Sequence, residues 1–70
     1  MENEVKLKQT GIHVKLIGMD GNAFAILGHV CEALRRGGCS GEFVAAFRKE
    51  ATRSDYNHLL AVCMETVEVE

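Results

Sequence analysis

From Val5 to Ile17 apolar and polar residues alternate. Val5 and Leu7 bracket Lys6, with Lys8 following, and Ile12, Val14 and Leu16 are separated by His13 and Lys15. A period of two places the apolar set on one face of a half-buried strand, so Ile12–Ile17 is expected to be a strand. Glycine tolerates turn dihedrals, so the Gln9-Thr10-Gly11 break closes a hairpin if the first alternating run is also a strand. Otherwise residues 1–9 form a loose arm. The pattern leaves both arrangements open.

Beyond residue 18 the period changes. Gly18-Met19-Asp20-Gly21-Asn22 is a turn, and Asp20 or Asn22 can accept from the free N–H groups of a helix that follows. At about 100° per residue, Ala23, Phe24, Ile26, Leu27, Val30, Cys31, Ala33 and Leu34 fill one half of a helix over Ala23–Arg36. Gly37-Gly38 ends it, glycine entering the left-handed cap most easily. Ser40 then caps a second helix over Gly41–Arg53, whose narrower stripe is Phe43, Val44, Ala46, Phe47 and Ala51. Ser54 and Asp55 open a third, with Tyr56, Leu59, Leu60, Cys63, Met64 and Val67 on one face, ending near Glu65. The last five residues alternate again and are expected to form a short extended tail. These elements make a single α+β domain over residues 1–70, a short N-terminal strand or hairpin packed against three helices.

Composition narrows the class. The chain has 70 residues, 47% hydrophobic and 26% charged, which suits a folded globular domain. No apolar run approaches the ~18–20 residues that cross a bilayer. The acidic start is wrong for a secretory leader, and three cysteines without paired spacing suit a reducing compartment. A cytoplasmic protein is expected. A domain this short buries only roughly 60% of its unfolded surface, so a homo-oligomer that completes the sheet or the core is a natural solution.

The net charge of -2 is unevenly spread. Arg35, Arg36, Arg48, Lys49 and Arg53 dominate the middle of the chain, where only Glu42 and Glu50 oppose them. Asp55, Glu65, Glu68 and Glu70 make the end acidic, with no Lys or Arg after Arg53. Two helices joined by Arg-Arg-Gly-Gly-Cys-Ser-Gly invite comparison with a helix-turn-helix. A recognition helix, however, brings donors to base edges from its N-terminal turn, and here that turn offers Gly41 and Glu42. A sequence pI near 5.9 also argues against a strong phosphate footprint. Cations near the negative ends of two solvated helices explain the segment more simply.

Candidate chemistry is sparse. Structural zinc needs four ligands at short paired spacings, whereas His29 and Cys31 sit about 200° apart on a helix at about 100° per residue. No metal, cofactor or catalytic set is expected, and Cys31 and Cys63 read as small core hydrophobes. Cys39 is a loop thiol ahead of the second helix. The spacings of a phosphate loop and of a calcium loop are both missing, so Asp20 reads as a turn former. Asp55, Tyr56, Asn57 and His58 read as a cap with one buried aromatic. Gly28 stands mid-helix, where glycine costs about 1 kcal/mol relative to alanine. It suggests close approach by another backbone, of the second helix or of a second subunit.

Two segments, Gly18–Gly28 and Asp55–Leu60, are similar to those of a group of small bacterial and phage-associated proteins of like length and order. That resemblance spans most of residues 12–70 and implies no activity, cofactor or catalytic residue. It directs attention to the Asp20–Asn22 turn and the Asp55–His58 cap. The expected function is therefore a small non-enzymatic interaction module, self-associating and acting through a protein partner. The alternative is a nucleic-acid-associated regulator of a phage or mobile element that uses Arg35–Arg53. The candidate interaction residues are Asp20, Asn22, Gly28, Arg35, Arg36, Arg48, Lys49, Arg53, Asp55 and His58.

Overall fold

A computed structural model describes residues 6–16 and 21–70. The element order is β1 (His13–Val14), α1 (Ala23–Arg36), α2 (Gly41–Ala51), α3 (Tyr56–Thr66) and β2 (Glu68–Val69). This is a small α+β fold in which β1 and β2 pair in parallel, His13 opposite Glu68 and Val14 opposite Val69. Backbone bonds carry the ladder past the strands proper. Thr10 N–H donates to Thr66 O (2.9 Å), Glu68 N–H to Ile12 O (2.8 Å), Glu70 N–H to Val14 O (2.8 Å) and Leu16 N–H to Glu70 O (2.6 Å).

Each helix begins where its sequence provides a cap. Asn22 Oδ1 accepts from Phe24 N–H (2.8 Å), Ser40 Oγ from Phe43 N–H (3.1 Å) and Asp55 Oδ1 from His58 N–H (2.9 Å). α1 closes in a Schellman turn. Gly38, at φ +94°, donates its N–H to Arg35 O, and Cys39 N–H reaches Leu34 O. α2 packs against both other helices, and the core lies among the three with the sheet laid on it. Val30, Leu34 and Phe47 are fully buried at its centre, Val14 and Val67 close it from the sheet side, and Leu7 packs at its margin.

Several expectations need correction. No hairpin forms among the described residues, because 6–12 contain no strand; residues 1–5, the rest of the expected arm or first strand, lie outside them. β1 finds its partner in the C-terminal tail instead, and Thr10 N–H is already held by Thr66 O. The strand is shorter than Ile12–Ile17, and Ile17 lies outside the described residues. α2 stops at Ala51, where Thr52 Oγ1 folds back onto Arg48 O (2.8 Å). Phe24 is not on the buried face; it is 82% exposed, at the edge of the arc that Ile26, Leu27, Val30 and Leu34 bury. On α3 the buried set is Leu59, Val62, Cys63 and Thr66. Tyr56 and Met64 stay out, at 41% and 60% exposure. Thr66 can occupy the core because its hydroxyl donates to Val62 O (2.8 Å).

Candidate functional site

The basic middle of the chain does not form one surface. Arg35 in the last turn of α1 and Arg48 and Lys49 in the last turn of α2 line one groove of about 380 Å³, together with Gly41, Ala45 and Thr52. No acid lines it. The other two cations are held elsewhere. Arg36 Nη2 donates to Glu32 Oε2 (2.9 Å), one turn back on α1. Arg53 is clamped by Glu50, its Nε 3.1 Å from both carboxylate oxygens and its Nη2 2.9 Å from Oε2. Those bonds hold the Glu50 carboxyl below the usual carboxylate range, with burial opposing and the Arg53 charge and His58 assisting.

The polar cluster at the start of α3 is spent on structure. Asp55 caps the helix, and Tyr56 Oη donates to Gly21 O (2.8 Å), tying the entry of α3 to the entry of α1. The expected buried aromatic is thus a half-exposed tether. His58 Nε2 lies 3.0 Å from both Glu50 O and Glu50 Oε2. Both neighbours only accept, so Nε2 carries the hydrogen and bridges α3 to α2. Asn22 is likewise engaged as the cap of α1, and Asp20 lies outside the described residues.

Gly28 overturns half of its expectation. A side chain there would meet nothing within 4 Å, so no backbone among the described residues approaches it. It lies one turn from Phe24 on the same flank of α1, both exposed. Cys31 and Cys63 are buried in the core. Burial raises the Cys31 thiol, against the opposing pull of the Arg48 and Arg35 charges. The Cys63 thiol is pushed up to about 11, by burial first and by Cys31 second. Among the described residues no three His, Cys, Asp or Glu side chains converge to hold an ion, and no helix is long and apolar enough to cross a membrane.

Sequence reasoning misses Phe24 as a surface feature and the separation of Arg36 and Arg53 from the groove. The i to i+4 spacing of Glu32 to Arg36 is a usable signal for one of these. Compared with known proteins, the chain matches no family model, no curated protein and no solved structure.

Proposed function

We propose that the protein is a small cytoplasmic interaction module that self-associates and acts through a protein partner, with no catalytic role. The observation that supports this most is the pairing of Phe24 with Gly28. A large aromatic 82% exposed stands one helical turn from a glycine that faces open space. Neither choice serves the folded monomer. Exposing a phenylalanine forgoes roughly 1.5–3 kcal/mol of burial, and a mid-helix glycine costs about 1 kcal/mol. A partner surface that covers the ring and approaches the bare backbone accounts for both.

Sedimentation equilibrium from micromolar to millimolar concentration tests the self-association, and a strict monomer throughout would overturn it. Affinity capture with the wild-type chain and with Phe24→Ser tests the partner surface. A protein retained by the first and lost with the second is expected; equal retention by both would mean that Phe24 is not part of the partner surface.

A second reading is favoured by the convergence of Arg35, Arg48 and Lys49 on one groove. A nucleic-acid-associated regulator would use these three cations, whereas Arg36 and Arg53 are committed to carboxylates. Three phosphate contacts give a modest salt dependence, a slope of roughly -2 to -3 in log K against log salt. A mobility shift with that slope, lost in the triple alanine variant, would support this reading. No shift at low salt would end it.

A further inference from the structure

We infer that the outer edge of β1 is the self-association surface, pairing antiparallel with β1 of a second copy across a two-fold axis. This deepens the reading of the protein as self-associating and rests on it. Along β1 the residues whose backbone faces β2 alternate. Thr10, Ile12, Val14 and Leu16 all direct backbone groups toward the C-terminal tail. The N–H and C=O groups of His13 and Lys15 therefore face the other way. Among the described residues no backbone hydrogen bond reaches them. Beside this edge runs an open pocket of about 400 Å³, between Ile12, His13 and Lys15 on one side and Glu32, Ala33 and Arg36 of α1 on the other.

The occupant that fits is a second copy. A two-fold centred on His13 sets Lys15 opposite Gly11 of the second copy, so no two lysines face each other. Ile12 then stands opposite Val14 of the second copy, on the face that packs against the helices. Glu32 and Arg36, an acid and a base paired one turn apart on α1, line the pocket beside this edge and offer both signs of charge to the incoming copy. The contact is isologous and closes on itself. It also turns a two-stranded sheet, marginal alone, into four strands.

Proline at 13 blocks this edge and leaves the backbone ladder to β2 intact, removing besides only the exposed side-chain contact of His13 Nδ1 with Glu70 Oε2 (2.8 Å). The N–H of His13 is not used by the ladder, and proline is tolerated on an edge where its nitrogen faces outward. Sedimentation equilibrium of His13→Pro, with far-UV circular dichroism to check its helices, is expected to show a monomer under conditions where the wild type dimerises. A second variant covers the case in which His13→Pro misfolds. In a Cys39→Ser background, His13→Cys is expected to give a disulfide-linked dimer on mild oxidation, because the paired α-carbons would lie about 5.5 Å apart. A wild-type dimer with a folded, still dimeric His13→Pro, or with no cross-link through 13, overturns this surface and leaves self-association standing. A wild type monomeric to millimolar concentration overturns both, including where an extended peptide still binds the edge.

Discussion

Ile12 fills the space that a side chain on Gly37 would need: its Cδ1 and Cγ1 lie where a Cβ would stand, Cγ1 at 3.0 Å, with Ala33 O at 3.3 Å behind. The arm leading into β1 thus crosses the end of α1 at the residue that caps it. The Gly37 backbone is right-handed, at φ -78°, so conformation alone would admit alanine and the obstacle is packing. Gly37→Ala is expected to cost roughly 1–2 kcal/mol, because Ile12 must leave a filled site. Gly28→Ala has the opposite sign. Nothing stands within 4 Å, and the helix gains up to about 1 kcal/mol. Urea unfolding of the two variants checks both, and a destabilising Gly28→Ala in the monomer would contradict the open flank.

Asp55 caps α3 through His58 N–H, and the adjacent Tyr56 ties that cap to Gly21. Asp55→Ala is expected to lower stability by about 1 kcal/mol, and Asp55→Asn, which keeps the acceptor, by much less. Equal losses in thermal or urea unfolding would mean that the charge, not the cap bond, carries the effect.

Glu50, on α2, holds both Arg53 just beyond the end of that helix and His58 on α3. Its carboxyl is lowered in the folded state. The stability it lends is therefore present above the ordinary carboxylate value of 4.5 and lost as pH falls through the lowered folded value. The stability difference between wild type and Glu50→Gln should shrink as pH drops from about 6 to about 3, across the ordinary carboxylate range. A difference independent of pH would show that Glu50 acts only by packing.

The helices are legible in the sequence because their signals are local. Asn22, Ser40 and Asp55 each precede an apolar run, and Gly38 supplies the left-handed residue that ends α1. The sheet is not, because parallel pairing joins residues 55 positions apart, His13 and Glu68, and no turn chemistry marks such a contact. Alternation at Ile12–Leu16 and again at Val67–Glu70 shows two extended segments without showing that they pair. Phe24 misleads for a different reason. Its wheel position lies at the border of the apolar arc, and whether a border residue is covered depends on where the neighbouring helix ends. The basic groove is half legible. Sequence groups five cations, but Glu32, four residues before Arg36, and Glu50, three before Arg53, withdraw two of them.

Cys63 makes the fold sensitive to alkali. Its side chain is buried, at 1% exposure, and its thiol is raised from 9.0 to about 11 in the folded chain. A group raised on folding lends stability that is complete below its unfolded value and disappears as pH climbs through the folded one. The window is therefore pH 9 to 11. A shift of that size corresponds to roughly 2–3 kcal/mol. Cys31 is raised in the same direction, so ionising either thiol in the core opposes the other. Lysine and tyrosine side chains in general also ionise in alkali, and the measurement needs a reference that keeps them. Wild type and Cys63→Val, compared by urea midpoint from about pH 8 to about pH 11 around the thiol range, provide it. The wild type should lose the larger share. Thiol labelling at neutral pH gives an independent check, because Cys39 is only partly buried whereas Cys31 and Cys63 are enclosed. One rapid equivalent from Cys39 is expected in the native protein and three after unfolding; rapid labelling of Cys63 in the native protein would contradict the burial on which the alkaline loss rests.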